Sequence, residues 1–169
     1  MMYKVEPARL SDAQGVLDLK YQLDAESKFM MLEKGERTTS LEEQKAILKS
    51  FESSSSEVML LAKSESEVVG FVVGIGNQYQ RNKHTLNCII GVLKAASGNG
   101  LGKRLMTSLE NWAEQNHFTR LELTVMCHNE RAIGLYQSQG FVIEGTRKHS
   151  LVVDGDYIDE YSMAKLIDR

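Results

Sequence analysis

The hydrophobic period of this chain changes several times, and the changes outline its elements. Tyr3 to Glu6 alternates like a short strand and ends at Pro7, which has no N–H to give a ladder. Ser11-Asp12-Ala13-Gln14 has the form of a capping box, with a serine at the cap and a glutamine three residues on. It predicts a helix to about Asp24, with Val16, Leu17, Leu19 and Leu23 near one face. Residues 26–39 hold no period and read as irregular. Ser40-Leu41-Glu42-Glu43 is a second capping box, and its helix should turn Leu41, Gln44, Ile47, Leu48 and Phe51 inward. Ser53 to Ser56 reads as a polar loop.

From Val58 the pattern becomes β-like. Val58 to Lys63 and Val68 to Ile75 flank Ser64-Glu65-Ser66-Glu67 and predict a hairpin. Thr85 to Leu93 is a third run that leads into a glycine-rich turn. A helix over about 101–116 follows, with Leu105, Leu109, Trp112 and Ala113 at helical spacing. Leu121, Leu123 and Val125 alternate with Glu122, Thr124 and Met126, which predicts a strand with one buried face. Asn129 to Phe141 reads as a short helix closed by glycine. Phe141 to His149 and Leu151 to Ala164 form a final pair around Asp154-Gly155, a strong turn dipeptide. This order suggests an α+β fold with a mixed sheet covered by helices, but it does not settle the topology.

At 169 residues, 42% apolar and 25% charged, the chain reads as one domain spanning 1–169. A net charge of −3 gives no basic footprint for nucleic acid. Cys88 and Cys127 lie in or beside apolar runs and read as buried free thiols. No cluster has metal-ligand spacing. Met1 to Glu6 holds no apolar signal region and no apolar run approaches a membrane span, so a cytoplasmic protein is expected, with no membrane partner.

The chemistry concentrates in two segments. Val92-Leu93-Lys94-Ala95-Ala96-Ser97-Gly98-Asn99-Gly100-Leu101-Gly102-Lys103-Arg104 is a strand end, a glycine turn and a helix start. Backbone N–H groups and the helix dipole at such a turn favour phosphate oxygens. It is not a P-loop: Ser97 stands where the first glycine belongs, and Arg104 where the magnesium-binding hydroxyl belongs. Nor is it a dinucleotide fingerprint, since position 103 is lysine and no βαβ unit opens the chain. The second segment carries Asn129, Ala132, Tyr136 and Gly140-Phe141. Asn129 is a natural helix cap and Gly140 a natural terminator.

Together the segments resemble the acyl-CoA site of the GNAT superfamily of N-acyltransferases. The turn resembles the family's Gln/Arg-x-x-Gly-x-Gly/Ala, with Ser97 replacing the first side chain. The second segment resembles Asn-x-x-Ala-x-x-x-Tyr-x-x-x-Gly-Phe. The resemblance covers about 58–164 and is strongest over 92–145. It implies a mostly antiparallel mixed sheet flanked by helices, with about seven strands and about four helices. It also implies direct transfer of an acetyl group from acetyl-CoA to a primary amine of a small molecule or peptide. Dimerisation is common in the family and fits an exposed sheet edge.

By this resemblance, the strand end at Gly91, Val92 and Leu93 should pair with the pantetheine arm, and a backbone N–H there should polarise the thioester. Ser97, Gly98, Asn99, Gly100, Leu101, Gly102 and Lys103 should hold the pyrophosphate, with Lys103 and Arg104 adding charge. Asn129 and Ala132 should form the far wall. Tyr136 is the candidate general acid for the leaving thiolate, since a phenol of pKa about 10 is protonated at neutral pH. The base is open: the strand before the turn has no Asp or Glu where many family members place one. Glu33, His84, Glu122 and Asp159 are candidates, Glu33 also as a substrate contact, and Asn87 is a candidate water holder. Acceptor recognition is expected from 26–37 and the last hairpin, which carries Asp154, Asp156, Tyr157, Asp159 and Glu160. The missing carboxylate leaves an alternative open, a non-catalytic acyl-CoA-binding sensor or interaction module.

Overall fold

The structure, a computed structural model, describes residues 2–167. Seven strands form one sheet: β1 (Lys4–Pro7), β2 (Glu57–Lys63), β3 (Val68–Gly76), β4 (Thr85–Val92), β5 (Arg120–Met126), β6 (Val142–Val153) and β7 (Asp156–Leu166). Four helices cover it: α1 (Ala13–Glu26), α2 (Leu41–Glu52), α3 (Leu101–Gln115) and α4 (Glu130–Ser138). The strand order is β1-β2-β3-β4-β5-β7-β6. Every neighbouring pair is antiparallel except β4–β5, which is parallel. The expected α+β fold is therefore present, and its one parallel pair lies where the strand–α3–strand crossover requires it.

That pair is also where the sheet opens. β4 and β5 are in register only at Thr85–Arg120, Leu86–Leu121 and Asn87–Glu122. Both strands continue past this point, β4 to Val92 beside β3 and β5 to Met126 beside β7. The two halves of the sheet part beyond Asn87 and Glu122 and leave a wedge between them.

The apolar pattern explains the rest of the packing. Leu101, Leu105, Leu109 and Ala113 recur every four residues along α3, and each is at most 2% exposed. Burial of each such leucine contributes roughly 2 kcal/mol. Val16, Leu19 and Leu23 of α1 join the same core from the other face of the sheet. Ser40 caps α2 as expected: Glu43 N–H donates to Ser40 Oγ at 3.1 Å, and Ser40 N–H to the Glu43 carboxylate at 3.1 Å.

Two local expectations need correction. Ser11 does not cap α1. It sits inside a 3-10 turn, where Asp12 accepts from Arg9 N–H at 2.8 Å and pairs with Lys63 at 2.7 Å, and α1 begins after it and runs to Glu26. Ile47 does not face inward from α2. It is 37% exposed, while Gln44 and Leu48 on the neighbouring stripe are fully buried.

Candidate active site

A cavity of about 630 Å³ fills the wedge, lined by the ends of β4 and β5, the turn before α3, and α4. Strand geometry sets its polarity. Leu93 N–H donates to Val69 O at 2.8 Å, so alternation directs the amides of Gly91 and Ile89 toward β3 as well. The amides of Val92 and Ile90 then point the other way, into the wedge where β5 has departed. Of the three residues expected to meet the pantetheine arm, Leu93 is 3% exposed and its carbonyl takes Ala96 N–H, so its backbone is committed. Val92 is the residue whose N–H faces the cavity.

The glycine turn follows. Gly100 is the cap of α3 at φ +72°, a left-handed conformation that a glycine adopts without steric cost. Having no side chain, it cannot cap the helix itself. The first bond reaching back is Arg104 N–H to Gly100 O, at 3.1 Å. The amides of Leu101, Gly102 and Lys103 precede it and have no intrahelical acceptor. Asn99 pins the turn instead of facing the cavity: its amide donates to Ala96 O at 2.9 Å and Ser97 O at 3.3 Å. Ser97 Oγ donates to Leu93 O at 3.2 Å. Gly102 also serves packing, since a Cβ there would lie 2.9 Å from Leu135 of α4.

The cations divide differently from expectation. Lys103 lines the cavity, but Arg104 donates to Tyr3 O at 3.0 Å and is tied to the residue just before β1. Arg131, in the first turn of α4, lines the cavity as well; residue type and spacing gave no reason to single it out.

α4 places Tyr136. Asn129 caps it, its side chain accepting Ala132 N–H at 3.3 Å. Gly140, at φ +94°, ends it: Phe141 N–H donates to Tyr136 O and Gly140 N–H to Gln137 O, both at 3.0 Å. This is the Schellman pattern, and the Phe141 ring packs on the Tyr136 ring with centroids 5.9 Å apart. Asn129, Ala132 and Tyr136 all line the cavity. Burial holds the Tyr136 phenol well above its ordinary pKa, with the neighbouring Cys88 adding to the effect. Burial likewise pushes the Cys88 thiol up to about 12.

None of the four candidate bases lines this cavity. Glu33 lies on the exposed 27–40 segment, where its N–H binds the Glu36 carboxylate, and it lines a smaller neighbouring depression of about 340 Å³. His84 sits at the closed end of the wedge, its carbonyl taking Thr119 N–H. Glu122 pairs with Arg120 at 3.0 Å. Asp159 accepts His149 N–H at 2.8 Å, a bond that, with Lys148 nearby, holds its carboxyl below the usual range. Asn87 is committed to Ile75 O and Asn77, both at 3.2 Å. The only carboxylate lining the cavity among the described residues is Glu160, which is 5% exposed. Sequence reading had placed it only among the acids of the last hairpin.

The residues present fit an acyl-CoA. Free amides and a lysine suit a pyrophosphate, an open strand edge suits an amide-bearing arm, and a buried neutral phenol suits a thiol leaving group. Comparison with known proteins agrees. The acetyltransferase (GNAT) family pattern matches residues 21–141. The L-amino acid N-acetyltransferase AaaT of Escherichia coli (strain K12) is 33% identical over 111 residues, which cover 63% of this chain and 67% of that protein. The crystal structure of a GNAT-family acetyltransferase from Streptococcus pneumoniae superposes with a TM-score of 0.94 at 30% identity, covering 99% of this chain and 100% of that one. The yncA acetyltransferase of Salmonella typhimurium, solved with acetyl-CoA, shares the fold at a TM-score of 0.87 and 17% identity, covering 98% and 94%. The chain therefore belongs to the GNAT family of N-acetyltransferases, with acetyl-CoA as its cosubstrate.

Proposed function

We propose that the protein acetylates the primary amine of an amino acid or a similar small molecule, as one domain acting in the cytoplasm. The observation that carries this reading is the meeting, in one cavity, of the free amides in the first turn of α3, the open edge of β4 and the hydroxyl-bearing ring of Tyr136. The similarity to an L-amino acid N-acetyltransferase supports the acceptor class.

Acetyl-CoA supplies the acetyl group as a thioester and departs as the thiol. The amides of Leu101, Gly102 and Lys103, with the Lys103 ammonium, hold its pyrophosphate at the positive end of α3. Val92 N–H stabilises negative charge that develops on the thioester oxygen, a preorganised donor that needs no rearrangement. The neutral amine attacks the thioester carbon, the C–S bond breaks, and Tyr136 gives its proton to the departing sulfur. The proton shed by the nitrogen passes through water to restore the phenol. Its raised pKa keeps that proton in place throughout the neutral range.

The acceptor reaches the cavity from the smaller depression. That depression meets the cavity at Ser27, Met30, Met31, Met126 and Leu151, so its walls are the 27–34 segment and the β6–β7 hairpin. A homodimer formed through the exposed β6 edge is compatible with this arrangement, because β6 lies at the opposite edge of the sheet from β1, beyond the wedge.

The test is acetylation of a panel of amino acids, polyamines, aminoglycosides and short peptides, read as free-thiol release and product mass. The reading expects transfer to amino acids, falling about 100-fold or more in kcat in Tyr136→Phe with unchanged acetyl-CoA affinity. Transfer confined to polyamines or peptides would overturn the acceptor assignment. Full activity in Tyr136→Phe would overturn the acid.

A further inference from the structure

The cavity is electrically divided. Its cations, Lys103 and Arg131, belong to the first turns of α3 and α4. Glu160, the sole carboxylate among its described lining residues, belongs to β7, opposite Met126 at the end of β5. Burying a carboxylate is costly unless its oxygens are satisfied. Glu160 has a side chain only 7% exposed. Its Oε1 accepts Ser150 Oγ–H at 2.8 Å and lies 3.6 Å from Arg147 Nη1. Arg147 is 58% exposed, so solvent screens that pair. Oε2 has no partner among the described protein groups, yet it is not a sealed, unsatisfied atom. Oε1 is therefore anchored, and Oε2 keeps some solvent access on a residue that lines the cavity.

The cavity that Glu160 lines also has an apolar stretch of wall. Phe29, Met30 and Met31 come from the segment after α1, Met126 from β5 and Leu151 from β6. Phe29 is fixed against His128, ring centroids 5.0 Å apart. The segment itself is tied to α1 by Arg37, whose guanidinium grips the buried Asp24 at 2.6 and 3.1 Å. A buried carboxylate with one free oxygen, in a cavity whose lining also holds methionine, leucine and phenylalanine, matches an ammonium carried on an apolar group.

We infer that Glu160 is the acceptor-binding carboxylate, seating the ammonium of an amine whose substituent is apolar against Met30, Met31 and Leu151. The inference rests on the acetyl-transfer reading above and names the part of the acceptor that the cavity recognises.

The test uses binding without turnover. In the presence of saturating CoA, which carries no acetyl group, the intact protein is titrated calorimetrically with L-leucine and with 4-methylpentanoate, which differs by lacking the ammonium. Wild-type protein should bind L-leucine about tenfold or more tightly. Glu160→Gln, which keeps the shape and the Ser150 bond, should abolish that difference and leave CoA affinity unchanged. In acetylation of L-leucine, the same variant should raise KM about tenfold. No preference for L-leucine in the wild type, or the same preference in Glu160→Gln, would overturn the inference. Should Glu160→Gln fail to fold, Glu160→Asp keeps the charge but withdraws it by one methylene. Weaker L-leucine binding with intact CoA binding then supports the inference, and unchanged binding overturns it. The two readings fail separately: wild-type protein that transfers acetyl to no amine refutes the proposed function, whereas transfer with a KM indifferent to Glu160 refutes only this inference.

Discussion

Among single residues, the chemistry follows burial more closely than residue type. Tyr136 and Cys88 are neighbours in the cavity, and burial makes both poor anions. For Tyr136 this helps, because an acid must keep its proton until the thiolate needs it. For Cys88 it argues against nucleophilic catalysis, since the thiolate is the reactive form. Native protein should therefore label with iodoacetamide at pH 8 first at the half-buried Cys127, with Cys88 modified only on unfolding, as peptide mapping would show. The same shift has a consequence for stability. The folded thiol titrates near 12 and the unfolded thiol near its ordinary value of about 8.5. Its contribution is complete below the unfolded pKa and declines as pH rises from there toward 12. Cys88→Ala should flatten the fall in urea midpoint over that window; an identical fall in the variant would contradict the assignment. At this scale the glycine turn, Asn129, Ala132 and Tyr136 were legible, because each occupies a fixed place in a local motif. Glu160 and Arg131 were not: nothing in Asp156-Tyr157-Ile158-Asp159-Glu160 distinguishes the acid facing the cavity from those facing water. That depends on which face of β7 lies opposite the end of β5.

The elements were legible to within a residue or two wherever a local signal and the apolar period agreed. Ser40 and Glu43 form both bonds of their capping box, and Asp154-Gly155 forms the hairpin turn with φ of +51° and +85°. Ser11 misled because a long-range partner intervened: Lys63 on β2 holds Asp12, and the chain tightens into a 3-10 turn before the helix starts. α4 shows how an element's ends can serve a site. Its cap sets where the helix begins, and its Schellman termination fixes the carbonyl of Tyr136 itself. Gly140→Ala forces a side chain into the left-handed region and brings a Cβ to 3.2 Å from Lys165. It should cost roughly 1–2 kcal/mol in a denaturant titration. It should also lower kcat more than it weakens acetyl-CoA binding, because Tyr136 moves while the turn before α3 does not. A variant that loses stability but keeps kcat would show that Tyr136 is positioned by other means.

Across the whole molecule, the decisive feature is the parting of β4 from β5. Composition and period predicted a mixed sheet, and family resemblance predicted its mostly antiparallel character. Neither could show that the one parallel pair holds for only three residues of each strand, since that depends on long-range packing and not on local pattern. The parting explains why the amides of Ile90 and Val92 have no strand partner, why the turn before α3 opens inward, and why α4 can present Tyr136 to the same space. None of the helices among the described residues is long and apolar enough to cross a membrane. The central claim is that acetyl-CoA occupies this wedge, pairing with β4 and resting its phosphates on the start of α3. Residue-resolved amide hydrogen exchange, with and without saturating acetyl-CoA, tests it most directly. The account predicts about tenfold or greater slowing at Ile90, Val92 and Leu101 to Lys103, with no change along β1 or the β6 edge. Protection confined to other elements, or none at the β4 end while the ligand is bound, would contradict it.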